Sequence, residues 1–114
     1  MKVLILPKEF LRYGQYDDYQ YIDGELIVSI ADTGNEVYNK LILIHALVEE
    51  MLTKAKGIKE EDISKYDAEH LTSEEPGLER DAPYKDAHLI GEGIERILCG
   101  YLGINWKDYE EEFK

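Results

Sequence analysis

Residues 19–30 read YQYIDGELIVSI, and this stretch decides the front half of the fold. Its central pair, Asp23-Gly24, can supply both positive-φ positions of a tight type I′ turn. The segments on either side are rich in tyrosine, isoleucine and valine, which favour strands. The stretch therefore predicts a β-hairpin. We expect its tyrosines to lie on a half-buried sheet rather than to form a ligand platform.

A further strand is predicted upstream of the hairpin, at residues 2–6, where a largely apolar run ends at Pro7. Proline cannot donate a hydrogen bond to a β-ladder, so it commonly closes a strand. Because the run is continuous rather than alternating, we expect this strand to be buried.

A long central helix is predicted directly after the sheet. Asn35 is a good N-cap, and Gly57 is a good stop, so the helix should run from Glu36 to about Lys56. Apolar residues recur along it at helical spacing and predict the face that packs on the core. They are Val37, Leu41, Ile44, Val48, Met51, Leu52 and Ala55.

Two more helices are predicted at about 59–71 and from Pro83 to about Leu102, followed by a short C-terminal turn capped by Asn105. Gly91 falls in the middle of the third helix, where it would allow another backbone to approach closely. The sequence thus predicts an α+β fold, a short antiparallel sheet with an N-terminal hairpin packed on three or four helices. We expect a single domain over 1–114, with the sheet in 1–34 and the helices in 35–114.

Composition narrows the classes of function. The chain has 114 residues and a formal net charge of −12, which argues against direct binding to nucleic acid or to anionic membranes. Such a charge could attract a basic protein, although it more often serves solubility. No apolar run has membrane-spanning length and the N-terminus does not read as a signal peptide. The single cysteine, Cys99, is expected to be a buried thiol, which fits a cytoplasmic location.

Histidine and acidic residues form the pattern most suggestive of chemistry. His45 and Glu49 are four residues apart, which places both on one side of the central helix, the spacing by which a helix can offer two ligands to a metal ion. His88 and Glu95 have a similar placement on the third helix. Since a buried imidazole or carboxylate needs a partner, we expect His45, Glu49 and His88 to converge.

Two nitrogen donors and one oxygen donor form a set common for zinc, with the fourth position open to water or to another carboxylate. Further candidates for this position or its surroundings are Glu95, Asp67, Asp81 and His70. The alternative is a buried network of histidine–carboxylate hydrogen bonds that contains no metal.

Several segments of the chain, in their order along the sequence, resemble a loosely defined family of small uncharacterised bacterial and phage proteins. The family's central helix carries His-Glu-Leu-Ile/Val-Glu and is similar, by analogy only, to the helix of zincin metallopeptidases. The resemblance implies no activity. The segments are Ile44 to Glu49, Gly57-Ile58, Glu61 to Ile63, Tyr66-Asp67, Glu75 to Gly77, Ala82 to Tyr84, His88, Ile94 to Arg96, and Leu102-Gly103 with Trp106 and Tyr109.

One departure from the zincin-like pattern bears on function. Ala46 stands where that pattern has the glutamate that accepts a proton from metal-bound water, and alanine cannot do this. We therefore expect a metal-binding protein that is not a competent hydrolase. The alternative hypothesis is an acidic interaction protein, such as a phage inhibitor or mimic that binds a basic surface of a host factor.

Overall fold

The structure, a computed structural model, describes residues 1–69 and 84–113. In this part of the chain, three strands form one sheet and four helices follow it. The strands are β1 (Lys2–Leu6), β2 (Asp17–Ile22) and β3 (Glu25–Ala31), and the helices are α1 (Glu36–Ala55), α2 (Glu60–Glu69), α3 (Lys85–Leu102) and α4 (Trp106–Glu111). The predicted α+β fold is confirmed.

The β2–β3 hairpin forms as the sequence predicts. Asp23 and Gly24 have φ angles of 51° and 79°, which are the two positive values that a type I′ turn requires. The pairing of Ile22 with Glu25 then fixes the antiparallel register. On the other side of β3, strand β1 pairs in parallel, so the sheet has the order β1-β3-β2 and is mixed.

Strand β1 lies where the sequence predicts it, but the expectation that it is buried is wrong. Val3, Leu4 and Ile5 are 39%, 40% and 54% exposed. The strand is at an edge of the sheet, and α1 packs mainly across β2 and β3. An apolar run indicates that a strand forms, but the position of that strand in the sheet decides how much of its surface is buried.

Helix α1 begins and ends at the predicted residues. The side chain of Asn35 accepts hydrogen bonds from the backbone N–H groups of Val37 and Tyr38, and Gly57 follows the helix with a φ of 73°. Its rotation about its own axis differs from the prediction. Leu41 is buried as expected, whereas Ile44, Val48 and Leu52 are only half-buried and Met51 is 59% exposed.

The inward side of α1 is partly polar. Ile42 and Ala46 pack against Tyr19, Val28 and Ile30 of the sheet. The same side also buries four polar residues, which are Asn39, His45, Glu49 and Thr53. Apolar periodicity therefore points to the wrong side of α1, because side chains with partners elsewhere in the core have replaced part of its apolar face.

Helix α3 lies alongside α1 and shows the same kind of rotation. Its buried residues are Ala87, Gly91, Glu95 and Cys99, so the thiol is buried as predicted. The helical spacing of the sequence predicts a common face for Tyr84, Ala87, Gly91, Ile94, Leu98 and Leu102, and this prediction is wrong in the last turn, where Leu102 is exposed. After α3, Asn105 caps α4 and the ring of Tyr109 docks fully buried beside Leu41 and Cys99.

Candidate metal centre

The central feature of the interior is a pair of side chains that α1 directs towards α3. His45 and Glu49 lie one turn apart and are 7% and 5% exposed. The ring of His45 lies over Gly91, where an added Cβ would come within 3.0 Å of Nδ1. The sequence predicts that another backbone approaches Gly91, but the group that lies there is the imidazole of His45, for which the missing side chain makes room.

His88 of α3 completes a triangle of donor atoms. Nε2 of His45 lies 3.2 Å from Oε2 of Glu49 and 3.1 Å from Nδ1 of His88, and that Nδ1 lies 3.2 Å from the same Oε2. Among the described residues, these three form the group of histidine and carboxylate ligands close enough to share one ion. The predicted convergence of His45, Glu49 and His88 is confirmed.

Both buried ligands of α1 have a second contact that fixes their orientation. Nδ1 of His45 forms a hydrogen bond with Oε1 of Glu95, whose other oxygen accepts a hydrogen bond from the hydroxyl of Tyr109 at 2.5 Å. The hydroxyl of Tyr19 donates to Oε1 of Glu49 at 3.2 Å. Glu95 therefore lies behind His45 and not within the triangle. A histidine that gives its Nδ1–H to a carboxylate keeps the lone pair of Nε2 free for a metal.

The other sequence candidates are placed differently. The carboxylate of Asp67 accepts a hydrogen bond from the hydroxyl of Tyr84 and is not part of the triangle. Burial raises the pKa of Asp67 to about 6, although the bond from Tyr84 lowers it; the charge of Glu49 adds to the increase. His70 and Asp81 lie outside the described residues.

Electrostatic interactions between His45 and Glu49 of α1 shift the pKa values of both side chains. Burial lowers the pKa of His45, but its bonds with Glu49 and Glu95 raise it by more, so the pKa lies well above its ordinary value. Burial also raises the pKa of Glu49, yet its bonds with His45 and His88 prevail and bring it down to about 2. The contact between the two side chains therefore favours a protonated His45 and an ionised Glu49.

Sequence reasoning missed three residues around this centre. Tyr19 is predicted only as part of the half-buried sheet, and nothing in the spacing of Tyr19 or Tyr109 connects them with Glu49 or Glu95. The third is Asp17, two residues before Tyr19 and on the same face of β2. Burial raises its pKa to about 7; the charge of His45 opposes this increase, and the charge of Glu49 adds to it. The alternation of β2 places Asp17 and Tyr19 together, but only the fold brings that face to α1.

Position 46 does not lie where a zincin-like site would need its catalytic glutamate. Ala46 is fully buried against the sheet, on the side of α1 that packs on Val28 and Ile30. A glutamate there would place a charge in the apolar core and not beside the triangle. Glu50 is directed to the surface, where it accepts a hydrogen bond from Tyr21.

The donor set and spacing fit a tetrahedral ion. In a zinc site with bonds of about 2.0–2.1 Å, neighbouring donor atoms lie about 3.3–3.4 Å apart. The three donor atoms here are 3.1–3.2 Å apart. Small movements of the side chains would therefore suffice to place an ion between them.

Comparison with known proteins finds no matching family model, no matching curated protein and no matching solved structure. The family resemblance noted in the sequence therefore stays a prediction. Within residues 1–69 and 84–113, no helix has the length and apolar character needed to cross a membrane.

Proposed function

We propose that the protein binds one divalent metal ion through His45, Glu49 and His88, and that zinc is the ion best matched to these donors. The observation that carries the proposal is the triangle of donor atoms 3.1–3.2 Å apart, contributed by two helices. Two imidazole nitrogens and one carboxylate oxygen suit zinc, whereas magnesium and calcium prefer oxygen donors alone.

Charge balance supports a divalent ion. Glu49 and Glu95 are both buried, at 5% and 6% exposure. When both are ionised they bring two negative charges into the interior, and neutral imidazoles do not compensate them. A dication does compensate them.

The ion would join α1 to α3, because each helix supplies at least one ligand. The side chain of His88 is 16% exposed, compared with 9% for His45 and 7% for Glu49, so the His88 side is the most exposed part of the group. A water molecule could enter there as a fourth ligand. Since Ala46 supplies no base, the role that this arrangement favours is metal binding rather than hydrolysis.

Metal content tests the proposal directly. Purified protein should contain close to one equivalent of zinc by elemental analysis, lose it to a strong chelator and regain it on titration. Glu49→Gln should abolish stoichiometric binding. The neighbouring Glu50→Gln, which changes a surface carboxylate on the same turn, should bind like the unaltered protein. Failure of the unaltered protein to bind zinc at micromolar concentration would refute the proposal.

A turnover assay tests the absence of hydrolysis. With zinc added, we expect no cleavage of unstructured protein substrates. Cleavage that a chelator stops and that disappears in His45→Ala would contradict this expectation, and Asp17→Asn would then show whether β2 supplies the base. The same metal analysis distinguishes metal binding from the alternative hypothesis of an acidic interaction protein, because attraction to a basic partner requires no ion. Salt should weaken that attraction instead.

A further inference from the structure

The rotation of α1 and α3 leaves an apolar surface on the outside of the helix layer. This outer face is formed by Val37, Ile44 and Met51 of α1 and by Ile90, Ile97 and Tyr101 of α3. Ile44 is half-buried, and the other five are substantially exposed, Ile97 and Tyr101 to 72% and 90%. Contiguous apolar surfaces of this kind mark sites of association.

Helical geometry places the two stripes on the same side of the protein. Residues 37, 44 and 51 recur every seven positions, and so do residues 90 and 97, so each set follows one side of its helix. The side of α1 opposite to its stripe contacts the sheet, and Leu41 and His45 contact α3. The stripe of α1 is therefore directed away from the sheet. Residues 90 and 97 lie on an exposed side of the neighbouring helix α3, and we take the two stripes together as one surface.

Acidic side chains are few on the outer face, although the chain as a whole carries 25 of them. Asp86, one turn before Ile90, is exposed on this side of α3, and its carboxylate lies 3.9 Å from the ammonium group of Lys56. Residues 37–48 contain no aspartate or glutamate. Residues 87–106 contain two, Glu92 and Glu95; Glu95 is buried, and Glu92 is partly buried and forms a hydrogen bond with Arg96. A basic partner would need carboxylates around the contact, and this surface offers few of them. A second copy of the chain therefore meets few like charges there despite the net charge of −12.

The size of the outer face also fits a homodimer. Helices of 18–20 residues are about 27–30 Å long, and two packed helices make a layer about 20 Å wide. The face therefore measures on the order of 500 Å² in projection, and side-chain relief makes its accessible area larger. A stable interface buries about 800 Å² on each partner, so the face is large enough only if both stripes take part.

We propose that the protein is a symmetric homodimer in which the outer faces of two copies pack against each other. The α1 and α3 helices of both copies then form an inner four-helix layer with a sheet on either side. In such an isologous interface the same residues contribute from both copies, and Ile97 and Tyr101, the most exposed apolar residues of the face, lie within it.

Sedimentation equilibrium tests the dimer. The unaltered protein at tens of micromolar should have twice the mass of the 13.2 kDa chain. Ile97→Glu and Tyr101→Glu, made separately, should each raise the dissociation constant at least about tenfold, since both bury a charge in the interface. Both positions are exposed in the single chain, so each variant should keep its far-UV circular dichroism spectrum.

The matched control is Phe10→Glu, because Phe10 is 70% exposed and lies in the segment between β1 and β2, away from the outer face. It should remain dimeric. A monomer at all concentrations up to about 0.5 mM would overturn the proposal, because an interface of standard size holds far more tightly than that. Dimers that tolerate glutamate at both 97 and 101 would overturn it as well.

Discussion

Replacement of Glu95 by glutamine should weaken zinc binding by about 10- to 100-fold, or about 1.4–2.8 kcal/mol, the usual effect of losing a hydrogen-bond partner behind a metal ligand. The structure gives the reason. The hydroxyl of Tyr109 donates to one oxygen of Glu95, while the other oxygen contacts Nδ1 of His45. If the amide oxygen of the Glu95→Gln side chain faces Tyr109, its NH₂ group faces His45. The ring proton then moves to Nε2, the atom that has to bind the metal.

A double variant makes this prediction sharper. Tyr109→Phe alone should change zinc affinity only a few-fold, because Glu95 keeps its contact with His45. Combined with Glu95→Gln it should recover part of the lost affinity, since nothing then holds the amide oxygen away from Nδ1. The assay is zinc titration against a competing chelator at about pH 7.5, where the carboxylates are ionised. The control is Glu92→Gln on the same helix, where the carboxylate contacts Arg96 instead. An unchanged affinity in Glu95→Gln would refute the role assigned to this carboxylate.

The other predictions concern proton linkage and packing. Zinc affinity should rise with pH, by up to about tenfold per unit for one displaced proton, until pH exceeds the raised pKa of His45. The proton on His45 stabilises the metal-free fold at low pH and is lost as pH rises through that pKa, so the zinc-induced rise in melting temperature should also grow with pH. In urea unfolding, Leu41→Ala should lower the free energy of unfolding by about 2–5 kcal/mol, and Leu52→Ala should lower it clearly less, because Leu52 is only half-buried. Equal losses would contradict the observed rotation of α1. By the same measurement, Gly91→Ala should destabilise the protein by about 1–3 kcal/mol, because its added methyl group contacts His45. Gly93→Ala meets open space and should stabilise the protein by up to about 1 kcal/mol. A gain in stability in Gly91→Ala would show that the ring of His45 can move aside.

Features set by local chemistry were predictable from the sequence. The Asp23-Gly24 turn, the Asn35 and Asn105 caps and the stop at Gly57 each depend on a few neighbouring residues, and the structure confirms them. Features set by long-range packing were not. The burial of β1 depends on which strand lies beside it, and no residue of β1 contains that information.

The candidate site was predictable where two ligands share a helix, and unpredictable where partners come from distant elements. The four-residue spacing of His45 and Glu49 fixes their common direction whatever the tertiary fold. Tyr109 reaches Glu95 from a helix that follows α3, and Tyr19 reaches Glu49 from the sheet. These tyrosines are on apolar or strand patterns that indicate packing, so their hydroxyl groups give no separate signal.

The buried polar centre and the apolar outer face have one geometric origin. Helix α1 carries Ile44 and Met51 on one side and Glu49 nearly opposite them, so a rotation that buries one set exposes the other. Leaving a large aliphatic side chain in water forgoes about 1.5–3 kcal/mol, and burying a carboxylate without compensation costs more. In the observed rotation the aliphatic side chains stay exposed, and Glu49 is compensated by its contacts with Tyr19, His45 and His88. A cation between His45, Glu49 and His88 would compensate the carboxylate further, and packing of the outer face against another copy would bury the aliphatic side chains. If both proposals hold, metal removal should loosen the contact between α1 and α3 and weaken the dimer, while Tyr101→Glu should separate the copies and leave zinc stoichiometry intact. Sedimentation of the chelated protein and elemental analysis of the monomeric variant would measure these two effects. Loss of zinc in Tyr101→Glu would show instead that dimerisation is needed to hold the helices in their observed rotation.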